Sequence, residues 1–180
     1  MLKTIAQKLD PEQDAIDLLK ADHRKVESLF KEFKAAGANK RMQKSISRQI
    51  CTELDIHARI EEKLFYPAAK RKAHEAMDEV NEGIVEHEGI KRLVKQLSRM
   101  NASDELFASR MTVLEEYVRH HVKEEESSMF PKIVEGDVDL KALCQRMIAE
   151  KRKLQAAQGG SMQDSDAKAS RRGNEARAAH

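Results

Sequence analysis

Two short runs carry side chains that could do chemistry: His57-Ala58-Arg59-Ile60-Glu61 and His121-Val122-Lys123-Glu124-Glu125. Each sets a His and a Glu four residues apart, which on an α-helix puts both on one face, a turn apart, within reach of one metal ion. Each pair has a Pro ten residues after its His (Pro67, Pro131) and another His thirty-four residues before it (His23, His87). All of these positions repeat at one offset of 64 residues, so the chain contains a duplicated set of ligand-type residues.

The elements that must position this set read as helices. Charged residues make up 36% of the chain and aromatics 4%, Trp is absent, and no strand-like run occurs, which is a helical composition with solvated faces. The 180 residues suffice for one domain and a tail. Asp10-Pro11 reads as the start of helix A, which runs to about Ala36 with Gly37 as its stop. Its stripe is Ile16, Leu19, Val26, Phe30 and Phe33, with His23 in the gap. Helix B, capped by Asn39, carries Ile46, Ile50, Leu54, His57, Glu61 and Leu64 and reaches the low seventies. Helix C spans about Glu75 to Met100 and includes Val80, Ile84, His87, Val94 and Leu97. Helix D opens at Ser103-Asp104-Glu105, follows Phe107, Met111, Leu114, Val118, His121 and Glu125, and closes at Gly136. Pro67 and Pro131 are expected to end or kink helices B and D.

Asp137 is expected to cap a shorter fifth helix through Leu140, Leu143, Met147 and Ile148. From Gln155 onward apolar periodicity stops, which predicts a disordered polar tail over 155–180 after a domain at 1–154. The expected fold is therefore all-α, an up-down-up-down four-helix bundle with a short fifth helix. At 1.5 Å per residue, His23 and His57 lie about 20 and 25 Å from the turn joining their helices, and His87 and His121 about 21 and 26 Å from theirs. All six candidates converge on one level of the core.

Burying Glu61 and Glu125 without cations would cost several kcal/mol each, on the order of the penalty for an uncompensated buried charge. Neutral imidazoles cannot supply that charge; a pair of metal ions can. Imidazole and carboxylate without thiolate suit iron, with manganese compatible, whereas structural zinc needs only four ligands and often Cys. The Glu-x-x-His of ferritin-type sites is absent, since Lys20, Leu54, Arg71, Ile84, Tyr117 and Val118 stand three before the histidines from His23 to His121. No H-E-x-x-H occurs either.

Asp22-His23, the run His57 to Pro67, Glu86-His87-Glu88, and His121 to Glu126 with Phe130-Pro131 closely resemble the hemerythrin-like HHE cation-binding family. The resemblance covers about Asp14 to Val134. It implies a hemerythrin-like bundle with two non-haem iron ions under carboxylate and oxo or hydroxo bridges. His23 and His57 would hold one ion, His87 and His121 the other, and Glu61 and Glu125 would bridge them. Oxygen-carrying hemerythrins have a further His where this chain has Lys91, so the likeness is to the four-His, two-Glu branch. That branch includes bacterial proteins linked to repair of iron centres after nitrosative or oxidative stress, whose additional N-terminal Cys-bearing region is missing here.

The expected function is binding or reduction of dioxygen, peroxide or nitric oxide in stress defence or iron handling, with peroxidase-like, catalase-like or nitric-oxide-related turnover left open. Two alternatives stand beside it: an iron- or oxygen-responsive sensing or interaction module without turnover, and a metal-free structural bundle. Glu27, four residues after His23, is a candidate extra ligand, although a solvated Glu is the commoner outcome. Tyr117, one turn before His121, is a candidate hydrogen-bond donor behind the ligands. Phe65, Tyr66, Met129 and Phe130 are read as packing of the bundle end, and His74, His120 and His180 as solvent-facing. The formal charge of +2 with interspersed signs asks for neither nucleic acid nor anionic lipid. No run reaches the length of a membrane span, and Cys51 and Cys144 read as ordinary thiols, so the expected setting is the cytoplasm, with a small diatomic or peroxide ligand and room for a protein partner or homodimer.

Overall fold

The computed structural model describes residues 13–158. Asp10, Pro11, most of the predicted tail and His180 lie outside that range. Helix α1 (Ala15–Ala35) is capped by Asp14, whose carboxylate accepts from Ile16 and Asp17 while Asp17 accepts from the Asp14 amide. Gly37 turns the chain at φ +51°, the left-handed region where a Cβ is disfavoured. Asn39 then accepts from the Met42 amide and starts α2 (Lys40–Ile60).

Of the two outcomes expected at Pro67, an end or a kink, the helix end does not occur. The helix widens into a π-helical turn over Glu61–Phe65, with the Tyr66 amide bonding to the Glu61 carbonyl, and continues as α3 (Tyr66–Lys72). The same happens 64 residues later: α5 (Phe107–Glu124) widens over Glu125–Met129 and continues through Pro131 as α6 (Phe130–Glu135). A proline ring clashes with the carbonyl four residues back in a regular helix, and a wide turn just before it opens the backbone there. Between these halves lie a single 3₁₀ turn (His74–Ala76) and α4 (Met77–Arg99). Ser103 to Glu105 belong to the turn before α5, closed by the Asn101 amide on Asp104 at 2.8 Å.

The last helix, α7, begins at 140 and is capped by Asp139, which accepts from the Ala142 amide at 2.9 Å; Asp137 instead gives its amide to the Lys72 carbonyl at 3.1 Å. It is longer than the sequence pattern implies, since 155–158 are still helical where a tail was predicted. The end of α7 gains a tertiary partner, since Gln158 donates to Asp55 at 3.2 Å, and further back on the helix Glu150 pairs with Lys63 at 2.7 Å.

The four long helices bury their apolar stripes in two clusters. One gathers Leu19, Ile60, Phe65, Phe130, Ile133 and Met147. The other gathers Phe30, Ile50, Leu54, Leu97, Phe107 and Leu114. Full burial of such a side chain contributes about 2 kcal/mol. Each candidate His sits where its helix passes from one cluster to the other: His23 between Leu19 and Val26, His57 between Leu54 and Ile60, His121 between Val118 and Met129. The polar level is thus clamped from both sides by packed hydrocarbon.

Candidate metal centre

All six sequence candidates meet in the core. His23, His57, His87 and His121 are buried, and Glu61 and Glu125 are fully so. One group of ligand-type atoms comprises His23, His57, Glu61 and Glu125, and a second comprises Glu61, His87 and His121, the atoms of each lying within 4.8 Å of one another. Glu61 belongs to both. Its Oε2 is 3.1 Å from His57 Nε2 and 3.3 Å from His87 Nε2. Oε2 of Glu125 is 3.2 Å from His23 Nε2 and 3.5 Å from His121 Nε2.

The far side of each imidazole decides what the near side can do. His23 Nδ1 donates to Glu126 at 2.8 Å, His87 Nδ1 to Glu62 at 3.0 Å and His121 Nδ1 to Glu86 at 2.7 Å. The fourth is looser, with His57 Nδ1 3.7 Å from Asp22, whose other oxygen takes the Lys151 ammonium. A carboxylate on Nδ1 keeps the proton there and leaves Nε2 bare, with its lone pair aimed inward. The centre then consists of acceptors facing acceptors: His23 and His57 Nε2 are 3.3 Å apart, His87 and His121 Nε2 3.0 Å. Among the described residues, neither oxygen of Glu61 nor Oε2 of Glu125 has a hydrogen-bond partner. Such a cluster is repulsive on its own and attractive around cations, so the residues present fit metal ions.

The electrostatics separate the two central carboxyls: against its burial, His121 and His23 hold Glu125 below the usual carboxylate range. Burial first, and the neighbouring Glu125 charge second, push the Glu61 carboxyl well above the carboxylate range. Burial depresses His57 to about 4, which keeps it neutral. Glu62 is held down at about 2, first by its hydrogen bond from His87 and then by Lys91, so it stays an anion behind its histidine.

The two further candidates do not reach the ligands, and Glu27 takes the commoner, solvated outcome. Tyr117 is 50% exposed, turned away from the ligands toward Gly89. Glu27 is exposed and paired with Lys31 and Arg24, which hold it out of the core. The inner hydroxyl belongs instead to Tyr66, which donates to Glu125 Oε1 at 3.0 Å and lies 3.5 Å from His87 Nε2. At about 100° per residue Tyr66 would stand about 140° around the helix from Glu61; the wide turn between them rotates it into the centre. Phe130 is likewise beside the site, stacked on His23 with centroids 6.0 Å apart. The four outer carboxylates carry the same signature as the ligands, which would have found them in the sequence: Asp22 and Glu86, and Glu62 and Glu126, are also 64 residues apart. His74 and His120 are exposed as expected.

Comparison with known proteins agrees with this geometry. The family model of the hemerythrin HHE cation-binding domain matches residues 14–164. A crystal structure of a hemerythrin HHE cation-binding domain-containing protein from Mycobacterium kansasii superposes with a TM-score of 0.68 at 24% identity, covering 81% of this chain and 89% of that one. That likeness speaks for the fold. A protein described as a DNA nickase, from Nostoc sp. (strain PCC 7120 / SAG 25.82 / UTEX 2576), is 32% identical over 117 residues, 65% of this chain. The match spans only 32% of that relative's length.

Proposed function

Because the chain belongs to the hemerythrin HHE cation-binding domain family, we propose that its cations are two non-haem iron ions, and that the pair binds or reduces dioxygen, peroxide or nitric oxide in stress defence or iron handling. His23 and His57 would hold one ion, His87 and His121 the other, with Glu61 and Glu125 shared. The observation that carries this reading is the Glu61 carboxylate, common to both ligand groups and without a hydrogen bond at either oxygen. Imidazole and carboxylate donors without a thiolate favour iron, and manganese has the same preference for the carboxylates. When bound, an iron pair supplies two electrons and open positions for a small ligand.

The protein's own contribution is positioning and proton supply. Glu126, Glu62 and Glu86 orient three of the four imidazoles and raise their basicity. Tyr66 holds a proton 3.0 Å from Glu125, the one hydroxyl described within hydrogen-bonding distance of either Glu, and the Phe65, Met129 and Phe130 side chains exclude water at that end. Lys91 stands where an additional ligand would be needed for the oxygen-carrier pattern, and its ammonium is committed to Glu62. This supports reaction or sensing over reversible oxygen carriage.

Elemental analysis of protein purified without a tag, with its visible spectrum before and after peroxide, tests the reading. About two irons per chain and a band that responds to peroxide are expected for ligands of this type. A single zinc, or no metal with no spectral response, would sink it.

A further inference from the structure

The two sides of the bundle are not equivalent, although the positions that line them are duplicated. On one side of the bundle α2 packs directly against α4, and its small or slender side chains Cys51, Leu54 and Ala58 are buried. Their counterparts 64 residues on, Glu115, Val118 and Val122, face α1 across a cleft of about 490 Å³. A β-branched Val in place of Ala58 and a Glu in place of Cys51 cannot nest as closely, so α1 and α5 stand apart where α2 and α4 meet. The cleft reaches inward to His23 and Glu126.

Its lining is divided by chemistry. Phe30, Val118 and Val122 form an apolar wall, and five cations and three carboxylates surround it. Three of the cations are neutralised in place: Arg24 by Glu126, Lys31 by Glu27 at 2.9 Å, and Lys34 by Glu115 at 2.7 Å. Arg119 and Lys123 are the remainder. Among the described residues no carboxylate pairs with either, and they project from successive turns of α5 beside Val118 and Val122. The volume falls in the range of small-molecule sites, about 300–1,000 Å³. It exceeds what a diatomic ligand or peroxide requires.

We propose that the α1–α5 cleft is a binding site for a small organic anion with an apolar body, its carboxylate held by Arg119 and Lys123 and its body laid against Phe30, Val118 and Val122. The anion is thereby held beside His23 without replacing any of the six ligand side chains. The inference goes beyond the metal reading and does not depend on which metal the centre holds.

Titration calorimetry of the full chain, as isolated and with its metal content measured, decides it, with octanoate as the probe and octanol and acetate as comparators. Octanoate is expected to bind saturably at one site per chain and to raise the melting temperature. Arg119→Gln with Lys123→Gln is expected to weaken it about tenfold or more, the loss of two charge-assisted contacts, with melting temperature and metal content unchanged. Val122→Phe, which fills the cleft, is expected to abolish binding; should that variant fail to fold, the exposed Arg119 and Lys123 changes still decide. Octanol binding as well as octanoate would mean an apolar crevice only, acetate matching octanoate would mean a charged surface only, and no saturable heat would mean no site; each overturns the proposal.

Discussion

Nδ1 of His23 lies 2.8 Å from Oε1 of Glu126, a carboxylate from the other half of the duplicated chain. The reverse crossing is made by His87, whose Nδ1 lies 3.0 Å from Glu62. Each half therefore orients a histidine of the other, while His57 and His121 take their outer carboxylates, Asp22 and Glu86, from their own half. The two repeats are interlocked through the outer ring of carboxylates as well as through the hydrophobic core.

The crossing makes Glu126 and Glu62 equivalent positioning residues. Glu126→Gln or Glu62→Gln is expected to lower metal affinity about tenfold to a hundredfold, the usual cost of losing the partner behind a ligand histidine. Metal release to a competing chelator measures it. The exposed Glu88→Gln, one residue from His87, is the control and should release metal at the wild-type rate.

Glu61→Ala should act in opposite directions on the two forms of the protein. It removes a buried carboxylate without a hydrogen bond, so the metal-free melting temperature should hold or rise. With metal present the same change should lower it, and the stabilisation gained on adding metal should shrink toward zero. Melting curves with and without metal give the comparison; a loaded protein indifferent to the change would remove Glu61 from the centre.

Gly83 of α4 stands beside the Tyr66 hydroxyl. A Cβ there would lie 3.0 Å from the Tyr66 hydroxyl and 3.3 Å from the Met129 methyl. Gly83→Ala, which in an open helix would stabilise by about 1 kcal/mol, is expected to destabilise here because Tyr66 is enclosed and hydrogen-bonded. Removing the hydroxyl by Tyr66→Phe in the same chain should relieve most of that cost, since the next ring atom is 3.5 Å away. A denaturation series on the two single variants and the double variant reads the coupling.

Burial pushes the Cys51 thiol up to about 11. It should therefore resist alkylation at pH 8 in the folded protein and react on unfolding. The sign of the linkage follows: a thiol raised on folding contributes stability below its unfolded value and loses it as pH climbs through the folded one. Stability should accordingly fall between about pH 8.5, the free-thiol value, and 11. In Cys51→Ala that part of the decline should be absent, as read by denaturant titrations across the interval.

The sequence displays the helices and the six ligand candidates because both obey simple periods. Ile16, Leu19, Val26 and Phe30 recur at three and four and bury as that spacing demands, and His23 falls in their gap. What it conceals is set where the period changes or where a choice depends on a third body. Tyr66 was hidden because a regular helix puts it on another face than Glu61. Tyr117 is the complementary case: it sits four residues before His121 on a regular stretch, yet it is half exposed and lies beside Gly89. Asp139, rather than Asp137, caps α7 because the Asp137 amide is engaged by the Lys72 carbonyl. The cleft was equally hidden, since Val122 and Ala58 differ only in bulk until helices are brought side by side.

The wide turns at Glu61–Phe65 and Glu125–Met129 alter which lengths of chain this protein can tolerate. Insertions and deletions are ordinarily absorbed in loops, and helix interiors are their usual casualty. Here each wide turn already contains one residue more than a regular helix, so a one-residue deletion within 62–64 or 126–128 would restore regular backbone hydrogen bonding and leave Tyr66 four residues from Glu61, about 40° around the helix and on the same face. Tyr66 and Phe130 would keep facing the centre, carried by a regular helix. Each wide turn thus takes up one extra residue inside a helix, so a lineage that lost that residue would keep both its bundle and the walls of its site.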